Sequence, residues 1–166
     1  MENELSARYQ KAFFDAVDHV ENVEVLLSKG LVASTPRQIA ELFSDLRLQA
    51  LSAQDRLTQL PLVQGALIET SKFLSQVGDF GFSIAKKAAA GSPPDQDEID
   101  LMQRLREEAA LISAALHEMQ REAADGRMPW GELRARANAR LDRDQRDGTR
   151  FRTIEEQVQK IPVIQY

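Results

Sequence analysis

Cysteine is absent from the 166 residues. That removes disulfides, thiol nucleophiles and cysteine metal ligands together, and it leaves the redox compartment open. Histidine is nearly absent as well. Only His19 and His117 occur, and Ala16 and Ala114 stand three residues before them, so the Glu-x-x-His pairs with which helical bundles hold two metals are missing. His117 and Glu118 begin like a zinc-protease motif, but Arg121 occupies the place of the second histidine. Neither a glycine-rich phosphate loop nor a G-x-S-x-G elbow is present. The sequence therefore predicts no enzyme, no catalytic residue, no metal and no cofactor.

Excess positive charge is also lacking. A net charge of −5 disfavours a protein built to bind nucleic acid. No apolar run approaches the roughly 18 residues of a spanning helix, and the opening "MENELSARYQ" lacks the basic and apolar regions of a secretion signal. The chain as given is expected to be soluble. The alternating pattern of half-buried strands is missing too.

What is present is helical periodicity, which predicts an all-α fold. Tyr9, Phe13, Ala16, Val20, Val23 and Leu27 step by threes and fours, the signature of one buried stripe on a first helix over 3–28. Gly30 is placed as its C-terminal stop, with Thr35 and Pro36 as the cap and first residue of the next. Ile39, Leu42, Leu46, Ala50, Ala53, Leu57 and Leu60 form the second stripe. Pro61 should break it, since proline lacks an amide donor and disfavours helical geometry at the residue before it.

A third helix is expected from Val63 to Ala89, closing at Gly91, and a fourth from an Asp95–Glu98 capping box to Ala124, ended by Gly126. Trp130 should open a shorter helix through Leu141, and Phe151, Ile154, Val158 and Ile161 suggest a last one. The expected architecture is one elongated antiparallel bundle of four long helices plus one or two shorter C-terminal helices, over 1–166 as a single domain. Periodicity alone leaves two hairpins stacked end to end as an alternative, because the chain can turn at Pro61 by very different angles.

Two stretches invite a functional reading. In "FLSQVGDFGFSIAKK" (73–87), Phe73, Val77, Phe80 and Ile84 share one face and read as core. Gly78 and Gly81 each cost about 0.8 to 1 kcal/mol against alanine in a helix, which close packing around Phe73 and Phe80 would explain. Phe82 points to the side shared with Gly78 and Lys86. It either fills a space against a second helix or stands exposed as an anchor for another protein. The second stretch, residues 134–152, carries seven arginines against three aspartates. Arg134, Arg136 and Arg140 are candidates for an anionic surface such as lipid headgroups, although interleaved charges of this kind also suit an ordinary solvated helix.

The ordered set Leu60, Pro61, Leu62, Thr70, Ser71, Lys72, Phe73, Leu74, Gly78, Asp79 and Phe80 resembles a segment of the spore germination protein YpeB family. The early "YQKAFFDAVDHVENVE", the leucines of "DEIDLMQRLREEA", Trp130 after a basic turn and "FRTIEEQVQ" resemble other parts of it. The likeness is to the N-terminal helical region, with the family's membrane anchor before it and its PepSY-type repeats after it absent from this chain. The resemblance implies a non-enzymatic partner that binds, stabilises and restrains a spore cortex-lytic enzyme, a SleB-type peptidoglycan hydrolase, until germination. It also implies a place in the dormant spore, at the outer side of the inner membrane or the cortex, with the membrane reached only through the absent anchor. The family offers no catalytic residue to carry over.

For the contact surface the residues themselves suggest Phe82, Gly78, Lys86 and Trp130. The alternative expectation is a dimerisation or membrane-proximal spacer that only positions the distal repeats.

Overall fold

A computed structural model describes residues 2–61, 64–126 and 130, with side chains for 4–61, 70–126 and 130. It is all-helical over these residues, with four helices and no strand among them: α1 (Glu2–Val32), α2 (Pro36–Leu57), α3 (Gln64–Ala89) and α4 (Gln96–Ala124). The expected shorter helices over 130–141 and beyond lie outside the described residues, apart from Trp130, which is helical.

Several helix ends have a local reason. The Thr35 hydroxyl accepts the Gln38 amide at 3.2 Å, and Pro36 opens α2, so one orphan donor is satisfied and another was never there. Asp95 and Glu98 make the reciprocal capping box of α4. Gly91 takes a φ of 91°, which lets Ser92 N–H reach the Lys87 carbonyl and Gly91 N–H the Ala88 carbonyl, both at 2.9 Å, the double closure that left-handed glycine permits. α2 stops at Leu57 rather than Leu60. The chain there tightens into a turn, with Leu60 N–H on the Leu57 carbonyl at 3.1 Å, and Leu60 is folded back into the core ahead of Pro61.

The packing order is a chain of antiparallel neighbours: α3 lies on α2, α2 on α1, and α1 on α4. Contacts along α1 run from Tyr9 and Phe13 against Trp130 to Gly30 beside Met102. α1 thus meets α4 on one side, where Glu21 faces His117 and Gly30 lies beside Met102, and α2 on the other. The expected stripes are buried, joined by Ala12, Val17, Phe43 and Met102, while Tyr9, Leu42 and Leu101 lie only half-buried at the edges.

Gly30 is not the end of α1. The helix continues through it to Val32, and the reason for glycine is steric: a Cβ there would lie 2.6 Å from the Phe43 ring and 3.3 Å from Met102 Sδ. Gly81 has the role expected of it. A Cβ at Gly81 would meet the Phe43 carbonyl oxygen at 2.9 Å and the Arg47 nitrogen at 3.3 Å, so the α3 backbone approaches the α2 backbone directly. Gly78 differs from the expectation, since a Cβ there would find its nearest neighbours, Ala50 and Leu51, at 3.9 Å, an ordinary contact.

Polar clips join the seams. Asp15 on α1 takes Lys11 at 3.0 Å and Arg56 of α2 at 3.4 Å. The hydrogen bond from Lys11 leads, and the charges of Lys11 and Arg56 add to it, so the Asp15 carboxyl is held below its ordinary range in spite of partial burial. Glu98 closes the α4 cap and also takes Lys87 Nζ at 2.6 Å, tying the end of α3 to the start of α4.

Two outcomes follow from this packing. Gly81→Ala should destabilise by about 1 to 2 kcal/mol, because backbone atoms cannot yield to the new methyl, whereas Gly78→Ala should stabilise by about 0.5 to 1 kcal/mol. Urea unfolding measures both, and a stabilising Gly81→Ala would contradict the close approach. Asp15→Asn should cost under about 1 kcal/mol near pH 7. Because the folded carboxyl titrates lower than the unfolded one, this contribution is complete above the ordinary carboxylate pKa and fades as pH falls through the depressed one. Wild type and variant should therefore converge in thermal melts taken in strong acid.

Candidate protein-docking seam

The close approach at Gly81 brings one face of α2 against α3, and the outer edge of that seam is where the apolar surface gathers. Phe82, one residue after Gly81 and turned away from the core, remains 49% exposed. Across the seam the Arg47 guanidinium carbon sits 4.6 Å from the centre of its ring, a cation–π contact worth about 0.5 to 1 kcal/mol at an exposed site. Leu48 and Leu51 on α2 are 59% and 44% exposed, and a Leu51 methyl lies 3.9 Å from where a Gly78 Cβ would be. Gly78 and Lys86 stand one turn either side of Phe82 on the same face of α3. Gly78 is buried and Lys86 exposed.

The seam thus brings together Phe82, Gly78 and Lys86. Trp130 does not join them: it is only 4% exposed and packs edge-on to Phe13 at 5.9 Å and tilted on Tyr9 at 6.0 Å, beside α1. Its Nε1 is buried without a hydrogen-bond partner among the described residues. Phe13 is level with the Asp15–Arg56 clip, and Arg47 lies nine residues back along α2, about 13 Å at 1.5 Å per residue. Trp130 is accordingly a core residue of another seam. Arg134, Arg136 and Arg140 lie outside the described residues.

Sequence reading overlooked Arg47, Leu48 and Leu51. For the two leucines a signal existed, since both fall off the buried stripe of α2. The Arg47–Phe82 contact joins residues of different helices and has no local signature.

The two histidines are half-buried and serve the helix seams. His19 Nδ1 lies 2.7 Å from Gln49 Oε1 across α1 and α2. His117 Nδ1 lies 2.8 Å from the Ser113 carbonyl, an acceptor only, so Nδ1 carries the proton there and donates. Its Nε2 faces Glu21 of α1 at 3.9 Å. No group of three or more acidic or histidine side chains is placed to hold a metal among the described residues, and no described helix is long and apolar enough to cross a membrane.

The sequence model of the YpeB N-terminal family matches residues 1–132. Among curated proteins the chain is similar to the sporulation protein YpeB of Halalkalibacterium halodurans, 27% identical over 154 residues, and to that of Bacillus subtilis, 22% identical over 153 residues, each covering 90% of this chain and 34% of the relative. The sporulation protein YpeB of Oceanobacillus iheyensis is 21% identical over 152 residues, covering 91% of this chain and 34% of its own length. The chain thus spans about a third of these relatives. No solved structure matches it.

The two aromatic sites should separate in stability. Phe82→Ala removes a half-exposed ring and should lower unfolding free energy by under about 1.5 kcal/mol, whereas Trp130→Ala opens a cavity and should cost about 3 kcal/mol or more. Equal losses in denaturant titrations would show that Phe82 is a structural residue.

Proposed function

We infer function from one premise: the chain belongs to the YpeB N-terminal family. We propose that it is the helical region of a non-enzymatic spore germination protein, one that binds, stabilises and restrains a cortex-lytic enzyme of the SleB peptidoglycan-hydrolase type until germination. The relatives carry the name of a sporulation protein rather than of an enzyme, which supports a binding role. Its place is the dormant spore, at the outer side of the inner membrane or the cortex.

Within that role the docking surface is the α2–α3 seam. The observation that carries this choice is Phe82, a large aromatic left half exposed with the Arg47 guanidinium over its ring, while Leu48 and Leu51 are exposed on the same stretch of α2. Aromatic and arginine side chains are the residues that most often dominate binding energy between proteins. Val25 and Val32 on α1 and Leu111 on α4 also leave apolar surface outside, but none of them is aromatic, and scattered aliphatic exposure is ordinary for soluble proteins.

Calorimetric titration against the purified cortex-lytic enzyme tests the proposal. Wild-type chain should bind, and Phe82→Ala should weaken binding by about 1 to 2 kcal/mol with helicity unchanged. Absence of binding by the wild type would overturn the role for this region and leave it as a spacer or dimerisation unit for the rest of the protein.

A further inference from the structure

We propose that His117 and Glu21 form an acid-operated latch across the α1–α4 seam, one that closes when the imidazole takes a second proton and releases as pH rises. None of Arg47, Leu48, Leu51 and Phe82 takes part in it, so the latch and the docking surface stand or fall separately.

Histidine is the side chain whose ordinary proton equilibrium falls between about pH 5 and 8, and the chain holds two. They face different partners. His19 lies against an uncharged one, Gln49 Oε1 at 2.7 Å, whereas His117 faces a carboxylate. Its tautomer decides what protonation does there. Nδ1 lies 2.8 Å from the Ser113 carbonyl oxygen, which can only accept, so Nδ1 carries the proton of the neutral ring and the second proton goes to Nε2. That nitrogen is the one 3.9 Å from Glu21 Oε2 on α1. The neutral ring turns a lone pair toward the carboxylate; the protonated ring turns a cationic donor toward it. A shortening of about 1 Å then gives a charge-assisted hydrogen bond.

The charges around the pair come from both helices. On α1, Asp18 and Glu24 lie one turn either side of Glu21, and His19, two residues before it, is turned to Gln49 of α2. On α4, Glu118 follows His117 and Arg121 stands one turn beyond it. Within one turn of either residue along its own helix, Arg121 is thus the one fixed cation among several carboxylates. Side-chain exposures of 34% for His117 and 52% for Glu21 keep the pair in touch with water, so it follows the pH of the medium and has the modest strength of a surface pair. A histidine that gains its partner on folding contributes stability that is complete below the ordinary imidazole pKa of about 6.5 and is lost as pH rises through its value in the folded chain. Acid therefore tightens the seam. α1 and α4 are the first and last of the described helices, and the chain beyond α4 returns Trp130 to α1, so the latch acts where the bundle closes.

Thermal melts of the full chain at about pH 5.5 and about pH 8, on either side of the imidazole range, test the latch with wild type beside Glu21→Gln. The substitution should lower the melting temperature by roughly 2 °C more in the acidic buffer than in the alkaline one. Made in a His117→Gln background, it should show no such pH difference. Made in a His19→Gln background, it should keep the difference. A nitrogen NMR spectrum in the alkaline buffer should place the proton of the His117 ring on Nδ1. An equal effect of Glu21→Gln at both pH values, a pH difference that survives the loss of His117 or vanishes with His19, or a neutral ring protonated on Nε2 would each overturn the proposal.

Discussion

The bundle is organised around Phe43. Its ring presses on the bare backbone of Gly30 in α1, its carbonyl oxygen faces Gly81 in α3, and its ring edge meets Phe80 at 5.9 Å. Met102 of α4 reaches the same place, its Sδ 3.3 Å from where a Gly30 Cβ would be. Residues of all four helices therefore meet around Gly30 and Phe43, and two glycines let the backbones come close there. Interiors packed to crystal-like density leave no slack for even one methyl group. The separation of α2 and α3, and with it the width of the seam outside, is set from within.

Much of the fold was legible because its determinants are local. The Thr35–Pro36 start, the Asp95–Glu98 box and the glycine closures at Gly91 and Gly126 are read from a few adjacent residues, and the stripes need only a period. Gly30 was misread as a stop because a glycine that ends a helix and a glycine that admits a neighbour look alike along the chain. Only the position of Phe43, thirteen residues on in sequence and across a loop, distinguishes them. Gly78 and Gly81 pose the same problem at closer range: three residues apart on one helix, one faces backbone and the other an ordinary side-chain contact.

The candidate surface was legible by half. Phe82 stood out because it leaves the stripe of its own helix, but the partner that makes it more than a stray aromatic comes from α2. A contact between helices depends on rotation and register, and neither is written in a single segment. Trp130 erred in the other direction. A lone tryptophan after a turn suggests an interface, yet here tertiary packing takes it inward.

The burial of Trp130 also has an optical consequence. It is the sole tryptophan in the chain, and it sits against Tyr9 and Phe13 with its indole N–H away from water. Intrinsic emission excited at the red edge of the protein band thus comes from one location, where the chain beyond α4 folds back on α1. It reports on that closure and is blind to events at Arg47 and Phe82. Loosening of that closure can therefore be followed with no label attached.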